Sequence, residues 1–192
     1  MENYTIRPLN VDTWDAFADL CERNNGVWGG CWCTWFHATP AERRTEGNRA
    51  FKERLVRVGQ AHAALVFEGE TAVGWCQYGP PSELPNIYHR KEYEAAQDMQ
   101  PDYRLTCFFV ESRYRRAGVA GVALAGALEL IAEAGGGMVE AYPHDTQGKK
   151  MTSSFLYNGT RRFFERAGFE YVRAKGKKNT VMRKTVPAST SE

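Results

Sequence analysis

Cysteine is sparse and irregular in this chain, with five residues at no repeating interval. An odd, unpatterned set argues against a disulfide framework. Long apolar runs are missing too: the most apolar stretch, Gly118 to Leu128, is too short to cross a bilayer and runs into Glu129 and Glu133. No membrane partner is therefore expected. Met1-Glu2-Asn3-Tyr4 lacks the basic start and apolar core of a secretory signal, so a cytoplasmic location follows by default. Neither sign of charge dominates, and a net charge of +2 makes no case for nucleic acid as a partner. No Gly-Lys-Ser/Thr ending marks a Walker loop, and a dinucleotide fingerprint would need glycine at position 116, where arginine stands. Metal has weak support: Cys31-Trp32-Cys33 is spaced more tightly than a zinc pair and His37 is a lone third ligand. The alternative is buried or pocket-lining thiols, and no metal is assigned.

What is present is the composition of a globular α/β protein. At 192 residues, 43% apolar and 25% charged, the chain is long enough for one domain with a sizeable core. That domain is expected over residues 1–186, with a polar insertion at 82–101, helical near Tyr88 to Met99, and a disordered tail at 187–192. The insertion reads equally as functional or decorative.

Tyr4 to Leu9 alternates as a first strand. Asp12 or Thr13 offers a cap for a helix that begins at Trp14 and carries Phe17, Ala18 and Cys21 on one face. Asn24 to His37 then holds Trp28, Trp32, Trp35 and Phe36 among three glycines. Such a segment either folds inward as core or lines a ligand cleft, and the cleft is preferred. Trp28, Trp32 and Trp35 are candidates for acceptor contacts, because tryptophan faces suit apolar or cationic groups.

Pro40 starts a second helix in which Phe51, Leu55 and Val58 recur at helical spacing, its charges reading as an exposed face up to Gly59. His62 to Phe67 and Ala72 to Tyr78 form a hairpin around Glu68-Gly69-Glu70-Thr71. Later, Met138 to Pro143 reads as a strand with Glu140 in its middle. A carboxylate there is either outward-facing or has a partner or a task. Ser153 or Ser154 is the expected cap of a helix from Phe155 to Ala167, and two strands, Phe169 to Val172 and Thr180 to Arg183, close the domain. Six basic residues between Arg173 and Lys184 make a solvated hairpin or attract a phosphate-rich ligand.

The chain is organised around Leu105 to Ala134. Leu105 to Val110 reads as a buried strand, Glu111 to Arg116 breaks it with charge, and Ala117-Gly118-Val119-Ala120-Gly121 leads into a small-residue helix. A strand, a glycine-bearing basic turn and a helix N-terminus together make an anion site, since the first helical amides lack partners and the peptide dipoles add positive potential.

Arg115-x-x-Gly118-x-Ala120 resembles the Arg/Gln-x-x-Gly-x-Gly/Ala motif of the GNAT acyl-CoA N-acyltransferases. Asn158 to Phe169 resembles a second GNAT segment, in which an asparagine precedes an aromatic by six residues, with Glu and Gly-Phe following. The two motifs stand in the family's order, and the resemblance spans roughly residues 3–185, departing at the insertion and the aromatic loop. It implies the GNAT fold, a mixed and mostly antiparallel central sheet flanked by helices. It further implies acetyl-CoA as co-substrate and an amine of a small molecule or peptide as acceptor.

Carried over residue by residue, the resemblance assigns Phe109 and Val110 to the pantetheine and thioester. Arg115, Arg116, Ala117, Gly118, Val119 and Ala120 fall at the pyrophosphate, Asn158 at the cofactor arm, and Phe164 is likewise assigned to cofactor binding. The family often places a tyrosine where Phe164 stands, and phenylalanine has no proton to give a departing thiolate. Tyr157 or Tyr142 is the substitute, with Tyr157 preferred, and Glu140 is the candidate base with Glu111 behind it. Cys107, in an apolar strand, is expected to be inert. A non-catalytic acyl-CoA-binding module is the rival expectation, a flavin or nicotinamide oxidoreductase is a third, and a homodimer is left open.

Overall fold

The computed structural model describes residues 4–146 and 157–190. Seven strands, β1 (Tyr4–Pro8), β2 (His62–Glu68), β3 (Thr71–Gly79), β4 (Tyr103–Val110), β5 (Gly137–Ala141), β6 (Glu170–Lys175) and β7 (Asn179–Val186), form one sheet in the order β1-β2-β3-β4-β5-β7-β6. Every pairing is antiparallel except β4 with β5. That one parallel pair needs a crossover, and the chain supplies it as α5 (Val119–Glu133).

Alternation along the strands builds two cores. Leu65, Phe67, Trp75, Cys107 and Phe109 face α1 (Trp14–Arg23) and the helical pair α2 (Pro40–Glu46) and α3 (Asn48–Arg57). Ala64, Val66, Cys76, Phe108 and Met182 face α5 and α6 (Arg161–Arg166). Helix α5 buries Val119, Leu124 and Ile131, each worth roughly 1.5–3 kcal/mol once removed from water. Gly126 is what lets it sit so close: a Cβ there would lie 2.7 Å from the Ile6 side chain on β1.

Several local expectations are corrected. The second helix is two helices, because Gly47 at φ 80° breaks it and α3 buries Phe51, Lys52, Leu55 and Val56 while Val58 stays exposed. A capping box between Thr39 and Glu42 starts α2. Thr13 precedes α1 without a side-chain cap, since its hydroxyl donates to the Pro8 carbonyl at 2.7 Å. Ser153 and Ser154 lie outside the described residues, and α6 begins only at Arg161, capped by Thr160. Of the expected tail, residues 187–190 are described, and there the Ser189 amide donates to the Ala132 carbonyl at 2.9 Å.

The insertion folds onto the domain. It carries α4 (Arg90–Ala95), buries Leu84, Ile87 and Tyr93, and clamps the aromatic loop through Asn86. The Asn86 amide donates to Phe36 at 3.1 Å, and its side chain donates to Trp35 and Ala38 carbonyls at 3.1 and 2.6 Å. No helix among the described residues is long and apolar enough to cross a membrane.

Candidate active site

Two clefts flank the end of β4. The first, about 700 Å³, lies between the β4–α5 turn and α6. Val110 forms one wall, Gly118, Val119, Ala120 and Gly121 another, and Phe163, Arg166 and Lys184 a third. Gly118 takes φ 85°, a conformation that suits glycine, and Arg116 is also left-handed at φ 67°. The first backbone bonds of α5 run from Gly121 and Val122 back to Gly118. The Val119 and Ala120 amides precede them, so they belong to the helix end that finds no partner within its own helix. Arg115 donates from Nε to the Val110 carbonyl at 3.1 Å, which ties the turn to the strand end. With Arg115, Arg116, Arg166 and Lys184 along it and no carboxylate among the described residues of its walls, the cleft suits an anion.

The parallel strands then separate. Pairing of β4 with β5 ends at Leu105 opposite Ala141, while β4 runs on to Val110. In the gap the Phe108 amide donates to the Tyr157 carbonyl at 2.6 Å. On the other side of β4 lies the second cleft, about 370 Å³, lined by Trp28, Trp35, Phe36, Tyr88, Cys107 and Tyr157 among others. Val110 and Cys107 are three residues apart, about 10 Å along a strand, so one strand end touches both clefts. Trp35 and Tyr88 stack at 4.1 Å and 12°, and Trp28 meets Tyr157 edge to face at 6.2 Å. Burial, with Tyr88 close by, pushes the Tyr157 phenol up, so it keeps its proton at neutral pH.

Behind this cleft sits a buried polar network invisible to sequence periodicity. Lys52, fully buried on α3, donates to Gln77 Oε1 at 2.8 Å and lies 3.0 Å from His37 Nε2 and 3.5 Å from the Cys33 carbonyl. His37 in turn meets the Glu83 carbonyl through Nδ1 at 2.9 Å, and Gln77 donates to Thr106 at 3.0 Å. Burial and the Lys52 charge hold the His37 pKa well below the usual imidazole value. Burial also lowers the Lys52 pKa. Burial alone would raise the Cys33 thiol, yet its hydrogen bonds to Cys107 and Trp75 and the Lys52 ammonium together hold it below the usual value. The bond to Cys33, followed by burial, pushes Cys107 well up. Both His37 nitrogens are thus engaged, and no group of three or more His, Cys, Asp or Glu side chains among the described residues is placed to hold a metal.

The sequence candidates divide between these places. Val110, Arg115, Arg116, Gly118, Val119 and Ala120 line the first cleft, and Trp28, Trp35 and Tyr157 the second. Ala117 lies in the same turn, and Phe109 turns its ring into the core against Trp75 at 4.9 Å. Trp32 lines neither cleft: it is buried between Trp14 and Phe17 beneath the Arg49 guanidinium. Phe164 is likewise core, packed on Phe108, Phe163 and Phe169, and its neighbour Phe163 is the ring that reaches the cleft. Asn158 donates to the Tyr142 carbonyl at 2.5 Å, while its Oδ1 is buried without a partner among the described residues.

Glu140 departs furthest from expectation. It is neither outward-facing nor in a cleft but fully buried. Tyr93 and Tyr142 donate to Oε2 at 2.6 and 2.9 Å, and Arg183 donates to Oε1 at 2.7 Å. Both oxygens are engaged, so the carboxylate anchors the insertion and β7 to β5 rather than standing ready as a base. Tyr142 is consumed by the same cluster. Glu111 is also spoken for, by Arg23 and Arg113 at 3.0 and 3.1 Å.

No protein-family model matches the chain, and no curated protein is significantly similar to it. Solved structures are similar along nearly its whole length. A protein described as an acetyltransferase of the GNAT family from Desulfovibrio desulfuricans is 19% identical, with 96% of this chain and 99% of that one covered and a TM-score of 0.53. The structure of histone acetyltransferase HPA2 and related acetyltransferase from Corynebacterium glutamicum gives 14% identity, 98% coverage of each chain and a TM-score of 0.55. The PaiA N-acetyltransferase of Thermoplasma acidophilum, solved in complex with coenzyme A, gives 13% identity, coverage of 95% and 99%, and a TM-score of 0.53.

Proposed function

The chain has the fold of the GNAT acetyltransferases, and from that premise we propose that it moves an acetyl group from acetyl-CoA directly to an amine. The observation that carries this reading is the turn from Arg115 to Gly121, cationic and with no carboxylate lining its cleft among the described residues, at the end of the strand that also reaches the aromatic cleft. In this reading the Val119 and Ala120 amides take the pyrophosphate, with Arg115, Arg116 and Arg166 adding charge. The pantetheine follows β4 past Val110, and the Asn158 Oδ1, buried and unpaired among the described residues, accepts from the arm. The thioester then arrives beside Tyr157 and Cys107.

Positioning supplies much of the rate in such a two-substrate step. The amine attacks the carbonyl carbon, and the tetrahedral intermediate collapses with departure of the CoA thiolate. Tyr157, protonated and lining the second cleft, is our candidate to protonate that thiolate, with the proton that the attacking nitrogen loses as the amide forms restoring the phenol. No carboxylate among the described residues lines this cleft, so the acceptor sheds its ammonium proton to water before entering, and the rate is expected to climb with pH toward the amine's own pKa.

Calorimetry with acetyl-CoA, paired with thiol release over a panel of amines, tests the reading. Tyr157→Phe is expected to lower kcat about 100-fold, the lower end of what one positioned acid contributes, without moving the affinity for acetyl-CoA. One observation favours a second reading, a CoA-binding module without turnover: Phe164 stands at the family's tyrosine position and is core. Tight CoA binding with no thiol release for any amine decides for the module, and absence of CoA binding overturns both.

A further inference from the structure

The charges around the aromatic cleft carry the acetyl-transfer reading one step further, to the class of acceptor. On the helical pair beside the cleft, three of the described arginine side chains are matched with acids. Arg49 pairs with Glu22 and Glu53, Arg54 with Glu46, and Arg57 with Glu53, all within 3.2 Å. Arg43 is different. It lines the cleft, its Nε reaches only the Thr39 carbonyl at 3.4 Å, and it has no carboxylate partner among the described residues. Asn48, the other polar side chain in that wall, is occupied with Gly30 and Thr34.

The remaining lining sharpens the picture. Trp35 and Tyr88 form a stacked platform, and among the described residues the buried Trp28 Nε1–H has no partner and no Asp or Glu lines the cleft. The fully buried Lys52 lies just behind Cys33. A cleft with one cationic lining side chain, Arg43, and no Asp or Glu among the described residues disfavours polyamines and other polycationic acceptors, whose extra ammonium groups would find no counter-charge. It attracts one anionic group at Arg43, in the forked geometry that a guanidinium offers a carboxylate. The rings take an apolar body.

We infer that the acceptor is an amine bearing a carboxylate and an apolar or aromatic side chain, an α-amino acid or close analogue, with Arg43 holding the carboxylate. Arg43 is thereby a specificity-determining residue. The inference rests on the acetyl-transfer reading above.

Three matched acceptors isolate the charge: L-phenylalanine, L-phenylalaninamide and phenethylamine share a ring and an amine, and only the first carries a carboxylate. Acetylation is followed by thiol release at a pH above all three amine pKa values, and binding by quenching of protein tryptophan fluorescence, to which Trp28 and Trp35 contribute. L-Phenylalanine is expected to bind and react about 10-fold better than either analogue, the worth of one charge-assisted contact. Arg43→Met is expected to abolish that preference, and Arg43→Lys to restore it in part, with acetyl-CoA affinity unchanged in both. Equal or reversed preference in the native protein overturns the inference, as does a preference that survives Arg43→Met. Silence of all three in both readouts, with acetyl-CoA bound, also overturns it and leaves acetyl transfer to be judged by other amines. Failure to bind acetyl-CoA removes the underlying reading itself.

Discussion

The two clefts share a strand end and are built on opposite principles. The first is made mostly of backbone: a left-handed Gly118, the opening amides of α5 and a few cations around them. The second is made of side chains, Trp28, Trp35, Tyr88 and Tyr157, held from behind by Lys52, His37 and Gln77. A backbone-built site depends on few residues and tolerates change elsewhere. A side-chain-built site depends on many, several of which never meet the ligand.

Substitutions that hit one cleft and spare the other test that contrast. The largest effect is expected at Lys52. Lys52→Met strands the Gln77 Oε1 and His37 Nε2 in the core, at a cost of about 3–5 kcal/mol in stability by denaturant titration. CoA affinity of the protein that remains folded is expected to be unchanged. A loss under about 1 kcal/mol would mean that the network does not hold the aromatic wall. Next comes Gly118→Val. A branched residue at φ 85° strains the turn by about 2 kcal/mol, an expected 30-fold or so weakening of CoA binding in calorimetry. Tryptophan fluorescence from the second cleft is expected to stay as it was.

The smallest effect is a pH dependence. His37 is held neutral in the fold, while the unfolded chain takes up that proton near about pH 6.5. Below that value the unfolded state binds more protons than the native state, so stability falls as pH drops, by at most about 1.4 kcal/mol per pH unit. His37→Gln is expected to flatten this slope in denaturation series from pH 7 to 5. An unchanged slope would assign the acid sensitivity to other groups.

The backbone-built cleft was the legible one. Strand, basic turn, glycine and small-residue helix lie within one short run, and local pattern suffices to see them. The hairpin from His62 and the span of α5 were legible for the same reason. The side-chain-built cleft was half legible. Trp28 and Trp35 were singled out with Trp32, but Asn25 to Gly30, Trp32 and Cys33 adopt positive φ, and no simple period says which ring then faces inward. Lys52 was hidden by a misread stripe. Its face of the helix is Phe51, Lys52, Leu55 and Val56 rather than Phe51, Leu55 and Val58, so a lysine three and four residues before two buried aliphatics was the available signal. Glu140 could not be read at all, because its partners at 93, 142 and 183 come from separate elements.

The stack of Tyr88 on Trp35 also bears on the order of assembly. Its two rings come from segments more than fifty positions apart, and their neighbour Tyr157 from a third. The turn from Arg115 to Gly121 is closed by a few consecutive residues. Bringing distant segments together costs more chain entropy than shaping a local turn. The anion cradle is therefore ready early in folding, whereas the ring platform is completed only once the sheet, the early loop and the insertion have all docked. On partial loosening the same hierarchy runs backwards: the ring platform comes apart before the anion cradle does.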